Sequence, residues 1–205
     1  MHKYLLCAAL LATLAACGTA QSVWAPDAAV ARARYVSTEP PSVTLFTVKR
    51  VDGGSGVHSG LLINGSQQVM FDPAGTWRHP LLPERNDVHF GVTPKMVDFY
   101  IDYHARTTFD VEEQTVRVPR EVADQVMARA MAYGAVPQTQ CARSVSTILH
   151  GVPGFESVGV SWFPNRVAKD FARLPGVTSR VIHDDDADDH HGVLIVQADD
   201  PRLTY

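Results

Sequence analysis

A turn at Asn64-Gly65-Ser66 leaves the chain around it little choice. Short apolar runs flank it, Gly60-Leu61-Leu62-Ile63 on one side and Gln68-Val69-Met70-Phe71 on the other. An Asn-Gly step between two such runs is a strong local signal for a β-hairpin. Antiparallel strands joined by a short turn bring the first residue of one beside the last residue of the other. His58 stands at the entrance of the first strand, just after the loop Gly53-Gly54-Ser55-Gly56, and Asp72 stands at the exit of the second. An imidazole and a carboxylate 14 positions apart are thereby expected side by side.

The remaining elements follow from periodicity and punctuation. Val43-Thr44-Leu45-Phe46-Thr47-Val48 is β-branched and aromatic, which suits a strand. Residues 72–92 carry Pro73, Gly75, Pro80 and Pro83 and are expected to form a long surface loop. Thr93-Pro94 has the form of a cap and first helical residue, and Met96, Val97, Tyr100 and Ile101 then share one helical face. A strand is expected over 111–118. A second helix follows Pro119, with Val122, Val126, Met127 and Ala130 at helical spacing and Gly134 as its stop. Further helices are expected over 141–149 and 165–174, and final strands over 177–182 and 193–196. Strands grouped around helices, with no strict alternation, indicate an α+β fold.

The N-terminus reads as a secretory signal: a short basic start at Met1-His2-Lys3, an apolar stretch to Ala12, then small residues. It is too short to count as a spanning helix. Leu14-Ala15-Ala16-Cys17 resembles a bacterial lipobox, which implies removal of residues 1–16 and a lipid on Cys17. Residues 17–41, rich in Ala, Ser and Pro, read as a tether with a short helix over residues 27–34, and residues 42–205 as a single folded domain. Gly18 is not the aspartate that resembles an inner-membrane retention signal, so the expected location is the outer membrane, facing the periplasm. A formal net charge of -4 argues against general nucleic-acid binding, which relies on basic patches. Of the 3 cysteines, Cys7 leaves with the signal and Cys17 carries lipid, so Cys141 stands alone in an exported domain.

A lone thiol in an oxidising compartment is either a small buried hydrophobe or a nucleophile. Cys141 opens a helix, where free amides and the positive dipole end favour a thiolate. A nucleophile at a helix start, a base on a strand and an orienting carboxylate on the next strand follow the logic of a thiol hydrolase. The run His58-Ser59-Gly60-Leu61-Leu62-Ile63-Asn64-Gly65, then Asp72, then Gln140-Cys141-Ala142-Arg143-Ser144 resembles the circularly permuted NlpC-type papain-like family, which includes lecithin:retinol acyltransferase-like proteins and bacterial lipoproteins. Gln140 replaces the Asn of many relatives, Val145 a frequent aromatic, and Asp72 a common third-position His.

The resemblance implies an antiparallel sheet packed on the cysteine-bearing helix, with Cys141 as nucleophile, His58 as base and Asp72 as the orienting residue. It also implies acyl transfer without metal or organic cofactor. Amide bonds in peptides or peptidoglycan are the first expected substrates, with acyl bonds in lipids as the alternative. A non-catalytic envelope binding protein on the same scaffold is a third reading. No substrate-binding residue is assigned. His79 and His89 are expected to line the cleft or sit in the core, as are Trp77, Trp162 and Phe163. Arg143 is an anion contact or a solvated charge. The His- and Asp-rich segment 183–191 lacks the spacing of a zinc or calcium site and reads as a solvated acidic loop.

Overall fold

A computed structural model describes residues 20–188. Cys17 with the expected signal, the strand expected over 193–196 and the last part of the acidic segment lie outside the described residues. The fold is α+β. Strands β1 (Ser42–Arg50), β2 (Gly56–Asn64), β3 (Gln68–Phe71), β4 (Glu84–Arg85), β5 (Val88–Phe90), β6 (Phe109–Arg117) and β7 (Thr178–Ile182) form one sheet. Its order is β4-β5-β3-β2-β1-β6-β7, and every neighbouring pair is antiparallel. Helices α1 (Asp27–Ala33), α2 (Pro94–His104), α3 (Arg120–Tyr133), α4 (Cys141–Leu149) and α5 (Pro164–Phe171) complete the described elements.

β1 is buried from Val43 to Val48 because both of its faces are covered. Successive side chains of a strand point to opposite faces. Val43 and Leu45 accordingly join Leu61, Ile63, Val69 and Phe71 in a core with Val126 of α3, Val145 of α4 and Phe171 of α5. Phe46 and Val48 join Met70 in a second core with Met96, Phe99 and Tyr100 of α2. α2 begins as the sequence suggests: the Thr93 side chain accepts a hydrogen bond from the Met96 amide and Pro94 lies in the first turn.

The hairpin forms with Asn64 paired to Gln68, so the connection is one residue longer than the Asn-Gly signal suggests. Gly65 is required by a close approach: a Cβ there would lie 2.2 Å from Asp124 Oδ1 on α3. Val48 pairs with His58 but Lys49 pairs with Gly56, so Val57 is an extra residue, a β-bulge immediately before the histidine. Bulges bend a strand and re-aim the side chains beside them.

Residues 72–92 do not form a surface loop. They contain β4 and β5, and Trp77, His79, Leu82, Val88 and His89 within them are buried. β4 and β5 are joined through Asn86 and Asp87, at φ 46° and 68°, the left-handed conformation of a two-residue hairpin turn. Strands of 2 and 3 residues are too short for alternation to register. The described part of the stretch read as a tether lies along this edge. The Ala25 amide donates to the Glu84 carbonyl at 2.9 Å and the Asn86 amide to the Val23 carbonyl at 3.0 Å, covering an otherwise open strand.

Candidate active site

His58 and Asp72 meet as the hairpin dictates. Strand pairing ends at Leu61–Phe71, and just beyond it His58 Nε2 lies 2.6 Å from Asp72 Oδ1. Gly60 sits between them in register, where a Cβ would lie 2.4 Å from the Tyr100 hydroxyl. That hydroxyl donates to Asp72 Oδ1 at 2.9 Å, so the carboxylate oxygen is held from two directions. Gly75 is equally constrained: a Cβ there would come within 1.7 Å of Asp72 Oδ2. Only residues without a side chain let ring, acid and phenol close up.

The third sequence candidate joins them. Cys141 begins α4, a helix whose Ala142, Val145, Ile148 and Leu149 are buried in the main core, and its thiol interacts with the His58 ring and with the amides of Ser59 and Ala142. Since His58 Nε2 is engaged by Asp72, Nδ1 is the nitrogen left for the sulfur. Cys141 is buried, while the His58 side chain keeps 15% exposure, so the ring forms the floor of an accessible cleft.

The electrostatics follow from this packing. Burial disfavours the charged ring of His58, but the charge and hydrogen bond of Asp72, with a contribution from Cys141, overcome it and raise the ring from 6.5 to about 10. Burial likewise works against ionised Asp72, yet His58 holds the acid well below the usual carboxylate range. For Cys141, burial opposes ionisation, while the hydrogen bond and charge of His58 and two backbone amides bring the thiol below its ordinary value. Burial and the Asp72 charge push Tyr100 well above the normal phenol range and keep it a donor. At neutral pH the site therefore holds an imidazolium between the Asp72 carboxylate and a thiol biased toward ionisation.

Further residues frame the site that the sequence reading left unassigned. The ring of His104 stacks on that of His58, with centroids 5.5 Å apart and planes 5° from parallel, and His104 Nδ1 lies 2.8 Å from the Tyr100 carbonyl oxygen. The i, i+4 spacing of Tyr100 and His104 in a helix is the signal that points to a shared face. Asp87 ties the carboxylate turn to the loop before Cys141: it accepts from the Ala74 amide at 3.3 Å and the Val136 amide at 2.7 Å. Burial raises its acid to about 6 despite those two donors.

The other sequence candidates separate into core and rim. Trp77, His79 and His89 are buried, with the Trp77 ring edge-on to both His89 and Tyr100. Trp162 and Phe163 are exposed, and Arg143 lies over the Trp162 ring at 4.7 Å. A cleft of about 240 Å³ opens at the ring of His58, walled by Val48, Val57, Tyr103, His104 and Phe109. In the described part of the acidic segment, His183 pairs with Asp110 at the surface and Asp186 with Arg106. Two groups of side chains are close enough to share a metal ion, His58–Asp72–His104 and Asp102–Asp184–Asp186. The second already encloses the Arg106 guanidinium, which lies 3.1 Å from Asp186 and 3.6 Å from Asp102.

Compared with family models, with curated proteins and with solved structures, the chain matches none of them.

Proposed function

We propose that the protein is a thiol hydrolase of the permuted papain-like type, acting by acyl transfer. One observation carries the reading: His58 is hydrogen-bonded to a buried carboxylate through Nε2 while its ring promotes the ionisation of the only cysteine among the described residues. In the reaction, the Cys141 thiolate attacks a carbonyl carbon, and the negative charge moves to the oxygen, beside the amides at the start of α4. His58 gives its proton to the departing nitrogen or oxygen as that bond to carbon breaks. It then takes a proton from water, which attacks the thioester and releases the acid and the free thiolate. Asp72 holds the ring in the orientation both steps need.

The favoured substrates are amide bonds in peptides or peptidoglycan, reached by a protein tethered through a lipid on Cys17 at the outer membrane. The apolar walls Val48, Val57 and Phe109 beside His58 favour one second reading, cleavage or transfer of a lipid acyl group in the same cleft. Alkylation with iodoacetamide tests the chemistry before any substrate is known. At pH 7 Cys141 should react about tenfold or more faster than free cysteine, and His58→Ala should abolish the advantage. Equal rates for wild type and variant would leave a binding protein on a hydrolase scaffold. Peptidoglycan fragments and phospholipid vesicles, offered separately to the reactive enzyme, then divide the two substrate classes.

A further inference from the structure

We propose that Trp162 and Phe163, beside the basic face of α5, form a docking surface for an anionic lipid bilayer, and that docking holds the mouth of the His58 cleft at the headgroups. The surface itself needs neither the hydrolase reading nor the lipid on Cys17. The orientation of the cleft rests on that lipid.

Phe163 is 72% exposed and Trp162 50%, with Val160 exposed just before them. Their loop is pinned on both sides. The Ser161 amide donates to Ser146 Oγ of α4 at 3.0 Å, the Phe163 amide to Ser161 Oγ at 3.1 Å, and Asn165 Nδ2 to the Gly54 carbonyl oxygen at 2.9 Å. Arg143 lies over the Trp162 ring and fixes its pose. A fixed loop thus holds large apolar side chains in water, which is unfavourable until a partner covers them.

The charges beside the loop select the partner. Residues 157–175 hold three basic side chains and one acid, in a chain whose formal net charge is -4. Arg166 and Lys169 of α5 and Arg173 just after it are exposed at helical spacing. The one acid, Asp170, is buried and lies 3.1 Å from Arg166 and 2.7 Å from Arg173. With Arg143 these residues set positive charge next to an apolar tip. Aromatic rings at headgroup depth and basic side chains against anionic lipid are the two contacts by which a protein lies on a bilayer.

The N-terminal segment points the same way. Ala20, Gln21 and Ser22 line a hollow with Ala74, Gly75 and Gln138, and Ala74 and Gly75 also wall the cleft at His58. Cys17 stands three residues before Ala20, a reach of at most about 11 Å. A lipid on Cys17 therefore enters the bilayer close to the cleft. The aromatic tip borders that cleft through β2: a Cβ on Gly56 would lie 2.8 Å from Pro164 Cβ, and the next residue, Val57, is exposed at the cleft wall. Two attachments near one cleft turn it toward the membrane.

The chain from Gly18 onward keeps every described element and lacks both the expected signal and the lipidation site, so it tests the surface alone. In sedimentation it should bind vesicles of phosphatidylglycerol and phosphatidylethanolamine at least tenfold more tightly than phosphatidylcholine vesicles. Phe163→Ser and Trp162→Ser should each weaken binding about tenfold, and Lys169→Gln about fivefold, with Tm unchanged because these side chains stand in water. Binding that ignores the aromatic substitutions, or is as tight on phosphatidylcholine, overturns the surface. So does a chain that ignores vesicles but is retained on peptidoglycan until Trp162→Ser releases it. Orientation is read on the lipidated full chain in vesicles brominated on the upper acyl chains. Tryptophan quenching should fall in Trp162→Phe; equal quenching, or a Cys17 whose mass shows no lipid, overturns the orientation. If Cys141 alkylates like free cysteine while the vesicle results stand, the hydrolase reading falls and the docking surface remains.

Discussion

Two histidine–carboxylate pairs in this molecule have almost the same separation, His58–Asp72 at 2.6 Å and His183–Asp110 at 2.7 Å. The first has side chains 15% and 1% exposed, the second 49% and 28%. Carboxylate contacts raise both rings above 6.5, the buried one to about 10. The lesson is about dielectric. The same two charges interact several times more strongly where protein replaces water, while at the surface solvent and salt screen them. Distance alone does not set how strongly such a pair is coupled; the packing around it does. At the buried pair, Tyr100, Gly60 and Gly75 supply that packing.

The comparison is most easily broken at its carboxylates. Asp72→Asn leaves a buried ring without its counter-charge and should cost about 3–5 kcal/mol in urea unfolding, with loss of the enhanced alkylation of Cys141. Asp110→Asn, removing the surface partner, should leave alkylation untouched; equal effects from the two substitutions would void the contrast. Gly75→Ala forces a methyl against Asp72 Oδ2 and should cost about 1–3 kcal/mol, read as a fall in Tm. Tyr100→Phe removes a hydrogen bond to a charged, buried oxygen and should cost about 1.5–3 kcal/mol, with the thiol less reactive at neutral pH because Asp72 is held less firmly.

The pH dependence sharpens the same contrast. Raising the folded pKa of His58 from 6.5 to about 10 stabilises the protein fully below pH 6.5, and the contribution is lost as pH rises through 10. Asp72, shifted downward, contributes above 3.8 and loses that contribution on acidification. The stability difference between wild type and Asp72→Asn should therefore be largest between about pH 4 and 6.5 and shrink toward pH 10. The smallest effect is expected at the surface, where His183→Ala should leave Tm unchanged at moderate salt.

Much of this was legible before the structure. The hairpin, the capped helix at Thr93-Pro94 and the start of α4 at Cys141 each depend on neighbours in sequence, so local pattern exposes them. The approach of His58 to Asp72 follows from the same hairpin. Residues 72–92 differ: prolines and glycines mark irregular backbone there, whereas burial of Trp77 and His89 comes from contacts with distant elements, invisible to any local window. Tyr100 and His104 were hidden for a related reason. Their helix reads as an ordinary amphipathic one, and nothing along it states that its buried face carries a phenol and an imidazole to the hairpin.

The amino-acid order determined the longer elements, the cap at Thr93, and which carboxylate, imidazole and thiol could meet, because those depend on backbone preference and on residue chemistry, both written locally. Where the elements meet was decided by packing across the sheet. Whether a histidine beside an aspartate becomes an imidazolium held to about pH 10 or a solvated surface pair depends on how much protein displaces water around it, and that quantity exists only once the chain has folded.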